Sequence, residues 1–392
     1  MVADYRGFLI VVCSFLIAWP SLGESEVREP AIPKIVAERA PGELASVRAR
    51  DVLIAAGDKG RELYVYSPKT GEVQRYTEKG DAWGDPVPLH RDLLHPGMTF
   101  IRMDVSGGRL ALSGSAGFAV FAADDGELIA QNRIFQPGDV AALPGGDFAL
   151  SLTNLPHPLR KGAFLARGAF GDEVPRLAIY DDDGEVTAKA LLESEERSPS
   201  GAVARALRVT WGERRLWAGE VGSYRIAAFD RDLDPRELLH DPGLDFQPTP
   251  LRSGAGGEES APPDREVPNP GRDLGGEQRK PKPPVKTQIH VKPVMVDLDW
   301  GESPGRLYVL LDPASFGGRI QIDLFDPVMA EVRRSTIVLP DGVDQTLTQM
   351  TVGSRFVWLR GYVDGSPILR VDRTLLDQGT VVKMTGAPGL PV

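Results

Sequence analysis

Apolar and polar positions alternate along this chain in short bursts, two residues per period, and the bursts return about every fifty residues. The clearest read LYVYSPKTGEV (Leu63 to Val73), FAVFAADDGEL (Phe118 to Leu128) and LAIYDDDGEV (Leu177 to Val186). Weaker copies are RIAAFDRDLDPREL (Arg225 to Leu238), IQIDLFDPVMAEV (Ile320 to Val332) and ILRVDRTLLDQGTV (Ile368 to Val381). Each is a strand ending in an aromatic or apolar residue, a tight acidic or glycine turn, and a second strand. Six copies at this period predict an all-β propeller of six four-stranded blades.

Tyr66, Phe121, Tyr180, Phe229, Phe325 and Val371 serve as marks for the end of the third strand of each blade; their spacings are 55, 59, 49, 96 and 46 residues. The long interval holds residues 246–291, a stretch of 46 rich in Pro, Gly and charge. Such a stretch cannot bury enough apolar surface to offset its ordering entropy, so it reads as a disordered insertion between blades four and five. Removing it restores the period. Blade one is degenerate: VLIAAGD and the YVYS hairpin are clear, but its innermost strand is not. Blade six reads TLTQMTVG, FVWLRGY, ILRVDRTL and TVVKMTG. The partner strand that blade one needs to close the ring has three candidate sources: residues 31–39, residues 46–50 and the C-terminal segment. One short helix is expected around Ala188 to Glu196.

The combination of a glycine, an apolar second strand, and then R-I-x-x-F-D before a turn is similar to NHL-like propeller repeats. It is best seen in Gly212 to Leu238 and Gly305 to Val332. The resemblance spans most of residues 44–385. It implies a fold that hosts many functions, so function must be argued from sites.

The N-terminus changes the picture. Phe8 to Trp19 is an apolar run of twelve residues, too short to span a bilayer as a helix. Pro20 then breaks the pattern, and Ser21 and Gly23 are small. This reads as a signal peptide over residues 1–23, cleaved after Gly23, with an uncleaved anchor as the other reading. Residues 24–43 follow as a linker or closing strand. Blades occupy 44–245 and 292–385, and 386–392 form a tail. The expected address is secreted or periplasmic, without a membrane span in the mature chain. The one cysteine, Cys13, falls within the signal, so no disulfide is expected. The net charge of −10 disfavours nucleic acid, which needs a basic surface, and suits neutral or cationic partners.

Chemistry is sparse. The five histidines are scattered, and HExxH, phosphate-binding and dinucleotide motifs are absent. Asp230, Asp232, Asp234 and Asp241 have the spacing of a calcium loop, but Pro235 stands where a positive φ is needed. That excludes an EF-hand and leaves a looser calcium site on the hairpin as the other reading; these acids, like Asp181, Asp182 and Asp183 before Gly184, read as turn formers. Asp104, Asp297 and Asp299 lie on expected innermost strands and are the candidates for a calcium ion in the channel, the one cofactor considered. Trp211 and Trp300 share a Trp-Gly context that fits repeat packing.

Strand parity supplies the last deduction. Loops between second and third strands emerge on the same face as blade-to-blade connections. The long loop from Thr153 to Pro175 and the insertion therefore decorate one face. His157, Arg160, Lys161, Phe164 and Arg167 form a basic-aromatic cluster there, the candidate binding residues for an anionic ligand or peptide. The functional expectation is a non-enzymatic binding or scaffold module for a protein, peptide or polysaccharide on that face. The alternative is a hydrolase or lyase with calcium in the channel.

Overall fold

The computed structural model describes residues 31–95, 97–114, 117–133, 137–152, 177–190, 207–222, 224–240, 249–250, 289–290, 294–343 and 346–382. Blade one runs Leu53–Ala56, Glu62–Ser67, Glu72–Thr77 and Val87–Pro88. Blade two runs Phe100–Ser106, Arg109–Gly114, Gly117–Ala122 and Leu128–Asn132. Blade three runs Pro137–Ala142, Phe148–Leu152, Leu177–Tyr180 and Val186–Ala190. Blade four runs Leu207–Gly212, Arg215–Glu220, Arg225–Phe229 and Pro235–His240. Blade five runs Met295–Glu302, Gly305–Leu311, Ile320–Asp326 and Glu331–Val338. Blade six supplies Leu347–Val352, Phe356–Gly361 and Leu369–Asp372. Each blade is an antiparallel meander, and the six innermost strands touch in cyclic order, the sixth against the first. The fold is the expected six-bladed propeller.

Acidic hairpin turns hold the meanders in register, as the turn-former reading anticipates. Asp230 Oδ1 accepts the N–H groups of Asp232 at 3.0 Å and Asp234 at 2.9 Å. Asp181 Oδ1 accepts those of Asp183 at 3.1 Å and Glu185 at 2.9 Å. Satisfying backbone donors locally is what Asp does in turns.

Apolar seams hold neighbouring blades together. Phe118 and Phe148 meet across blades two and three at 4.7 Å between ring centroids, with Tyr180 stacked on Phe148 at 5.3 Å. Trp217 of blade four stacks on Trp300 of blade five at 5.9 Å. Each such pair adds about 0.5–1.5 kcal/mol beyond its area burial. Gly212 makes the last contact possible: a Cβ there would lie 1.9 Å from Trp300 Cγ. The Trp-Gly dipeptide at Trp211 is thus a clearance for the next blade's tryptophan.

Ring closure uses the N-terminal side of the chain. Glu38–Arg39 pairs antiparallel with Leu369 and Arg370 and becomes the fourth strand of blade six, not the expected partner of blade one, whose four strands all come from residues 53–88. Lys34–Val36 pairs in parallel with Thr336, Ile337 and Val338 on the outer edge of blade five. The expected outer strand of blade six, Thr380–Val382, lies instead on blade five, with Val382 opposite Val332. A short helix, Arg373–Leu376, redirects it; its cap, Asp372, accepts the Thr374 N–H at 3.0 Å.

Two further expectations are corrected. Leu53–Ala56 is the innermost strand of blade one, so Tyr66 ends the second strand and not the third. The reason is that this strand is apolar throughout and lacks the polar alternation of its counterparts. Val186–Ala190 is a strand, where a helix was expected around Ala188 to Glu196; residues 191–196 lie outside the described residues. Within the insertion, Thr249 pairs with His290 and Pro250 with Ile289; residues 251–288 lie outside the described residues.

Candidate functional site

The innermost strand of a blade pairs on one edge only. Its other edge faces the channel, where bare N–H groups need partners. Side chains from the preceding blade supply them, always in the same rotational sense. Asp58 Oδ2 of blade one accepts the Gly107 N–H of blade two at 2.7 Å. Asp104 Oδ2 accepts Ala142 N–H of blade three at 2.7 Å, and Asp139 Oδ2 accepts Val209 N–H of blade four at 3.1 Å. Thr210 Oγ1 accepts Trp300 N–H of blade five at 3.2 Å. Asp297 Oδ2 takes Met350 N–H of blade six at 2.8 Å, and Asp299 Oδ2 takes Val352 N–H at 2.7 Å. Gln349 Oε1 and Thr351 Oγ1 take Ile54 and Ala56 N–H of blade one at 3.4 and 2.8 Å. All six junctions carry such a cap.

These residues form two layers across the channel. The first, nearer the face of the long loops, holds Arg102, Asp139, Arg208, Asp297 and Gln349 from blades two to six. Its charges alternate around the ring. Arg102 Nη1 donates to Asp297 Oδ2 at 3.4 Å and to the Thr348 carbonyl at 3.0 Å, while its Nε lies 3.8 Å from Asp139 Oδ1. Arg208 Nε donates to the Val296 carbonyl at 2.8 Å and lies 4.0 Å from Asp297 Oδ1. Arg360, from the second strand of blade six, donates to the carbonyls of Ala49 at 2.8 Å and Arg50 at 3.2 Å. Burial pushes the Asp297 carboxyl up to about 6, further than Arg102 and Arg208 draw it down. Burial first, and the Arg102 charge second, lower the Arg208 and Arg360 guanidiniums to about 10.

The second layer holds Asp104, Thr210, Asp299 and Thr351, and has no cation. Asp299 accepts from Thr210 Oγ1 at 2.9 Å, Trp300 N–H at 2.8 Å, Thr351 Oγ1 at 3.0 Å and Val352 N–H. Every one of these donors is neutral. Burial pushes Asp299 up to about 6 against them. Asp104 is raised well above the ordinary carboxylate range, by burial first and then by the charge of Asp299.

Below this layer a cavity of about 360 Å³ opens at the turns that follow the innermost strands. Asp58, Lys59, Asp104, Trp211, Asp299 and Glu302 contribute side chains to its wall. Arg373 also borders it, but its guanidinium is spent on Tyr308 Oη at 2.9 Å and the carbonyls of Gly353 and Ser354 at 2.7 and 3.1 Å. Trp211 is half-buried there, whereas Trp300 is core at 6% exposure. By strand parity the cavity lies on the face opposite the long loops.

The sequence singled out Asp104, Asp297 and Asp299 as candidate calcium ligands; the structure brings all three into the channel as caps. Among the described residues no three His, Cys, Asp or Glu side chains converge as a metal site. Asp139, Arg102, Arg208 and the Gln and Thr caps were missed. A signal existed: RMD, RVT, DLD and QMT repeat a polar-apolar-polar triplet at the same point of four innermost strands. His157, Arg160, Lys161, Phe164 and Arg167 lie outside the described residues. Among the described residues no helix is long and apolar enough to cross a membrane.

No protein-family model and no curated protein matches the sequence. Solved structures match at low identity. A Bacteroides thetaiotaomicron protein of unknown function is 13% identical, with a TM-score of 0.48 over 87% of this chain and 74% of that one. A member of the DUF4221 family from Bacteroides vulgatus is 10% identical, with a TM-score of 0.47 over 87% and 96% of the two chains. A putative exported protein from Bacteroides fragilis is 10% identical, with a TM-score of 0.45 over 86% and 94%. The ring rests on its own strand ladders, and no property of those proteins is carried over.

Proposed function

We propose that this protein is an exported propeller, built in the style of NHL-like repeats, that acts as a non-enzymatic binding or scaffold module. Its partner is a protein, peptide or polysaccharide that meets the long-loop face through His157, Arg160, Lys161, Phe164 and Arg167. One observation carries the non-enzymatic part: the channel carboxylates are committed to backbone N–H groups of the next blade. A catalytic calcium would need several of those oxygens at once, and taking them would strip the caps from the ring. Deleting residues 157–167 should abolish capture of the partner in a pull-down with the purified protein while leaving the melting temperature within a few degrees. Calcium chloride or EDTA should leave that temperature unchanged, since an ion bound only to the folded state would raise it. A rise with calcium, reversed by EDTA, would overturn the reading in favour of a channel-metal hydrolase or lyase.

A further inference from the structure

The second channel layer has no cation of its own, and in the cavity beneath it the exposed Lys59 stands against four carboxylates, Asp58, Asp104, Asp299 and Glu302, while Arg373 is spent on Tyr308 and two carbonyls. Among the described residues Asp104 accepts two hydrogen bonds, from Val105 N–H at 2.9 Å and Ala142 N–H at 2.7 Å. A cation placed against this carboxyl favours its ionised form, which offers about four acceptor positions, so about two remain open on a half-buried group that borders the cavity. Asp299 stands beside it with four neutral donors. Glu302 and Asp58 add carboxylates at the rim, and burial first, with the charge of Asp58 second, holds Glu302 above its ordinary value. Among the described residues no Lys, Arg or His pairs with Asp104 or Asp299. The contrast with the first layer, where arginines stand between the aspartates, is made by the same strands two residues apart.

The cavity is more than a group of acids. It has room for a small organic molecule, for which about 300 Å³ is the usual lower bound. Its wall includes the half-exposed indole of Trp211, an aromatic surface on which an ammonium head or its alkyl carbons can rest. A bare metal ion fits less well. Calcium takes about six to eight oxygens, and the Asp299 oxygens already hold four donors.

We infer that this cavity, on the face opposite the long loops, binds an organic ammonium ion, with the charged head against Asp104 and the apolar body against Trp211. The site is separate from the loop-face partner proposed above. Its failure would leave that proposal standing, and the converse holds.

The test uses the purified protein and choline chloride as the probe. Its uncharged isostere 3,3-dimethylbutan-1-ol, sodium chloride at equal ionic strength, and calcium chloride run alongside. Choline should raise the melting temperature saturably in the millimolar range and give a heat signal in titration calorimetry; the alcohol and sodium chloride should not. Asp104→Asn should weaken choline by about tenfold, the equivalent of one lost charge-assisted contact. Glu302→Gln, at an exposed rim position, should weaken it about two- to threefold, and it keeps the test open if the Asp104 variant does not fold. Equal shifts from choline and the alcohol would overturn the proposal. So would choline binding unchanged in both variants, or stabilisation by calcium with none by choline.

Discussion

The two polar layers of the channel sit two residues apart on the same strands, yet they handle buried charge in opposite ways. In the layer nearer the long loops, arginines and aspartates alternate, and Asp297 sits within reach of Arg102 and Arg208. In the layer nearer the cavity, Asp104 and Asp299 are held by N–H and hydroxyl donors alone. Both layers perform the same structural task of capping the next blade. Only the first neutralises itself. Capping therefore accounts for a polar residue at these positions; it does not account for the choice of aspartate, without arginine, beside the cavity.

Removing one acid from each layer should break the comparison most visibly. Asp297→Ala leaves the guanidiniums of Arg102, Arg208 and Arg360 with Asp139 as the remaining carboxylate of the layer, and should lose about 3–5 kcal/mol in urea unfolding. Asp104→Ala removes one backbone cap and also relieves a like-charge pair, so its loss should be nearer 1 kcal/mol. Equal losses would mean that the layers are not distinct.

Acid titration should sharpen the difference next. Asp297 and Asp299 are pushed up to about 6, so the folded state holds protons that the unfolded chain releases near pH 4. Their contribution to stability is whole below that value and is lost as pH rises through about 6. Asp230 and Asp372 work the other way: hydrogen bonds and arginines hold them low, overcoming an opposing burial effect. The useful quantity is therefore the melting temperature of wild type minus that of Asp299→Asn, measured from pH 4 to 7. This difference should shrink as pH rises. A flat or growing difference would refute the assignment. The smallest effect belongs to Asp58→Asn, an exposed cap on a turn, which should stay within about 0.5 kcal/mol.

Much of the architecture was legible because each blade repeats the same local chemistry. The Asp181 and Asp230 turns, the aromatic strand ends and the near-constant spacing all come from one repeated need. Blade one misled because Leu53–Ala56 is apolar where its counterparts alternate, so the Tyr66 hairpin was placed one strand too far out. Blade six misled because Asp372 starts a helix, and Thr380–Val382 then adds to a neighbour. Local pattern does not say which edge a terminal strand will join: residues 31–39, expected as one candidate partner for blade one, place Glu38 opposite Arg370 of blade six. The channel was half-read. Asp104, Asp297 and Asp299 stood out as acids, but their arginine and threonine companions belong to other blades, and no linear spacing connects them. The mouth cavity had no sequence signal, since it is made by six turns meeting around an axis.

The seal at Glu38–Arg39 carries a consequence for how the molecule is born. The two halves of the latch lie 332 residues apart, so a nascent chain emerging from the ribosome is a strip of blades that is not yet joined. Only when the segment beyond Leu369 is made can the circle lock.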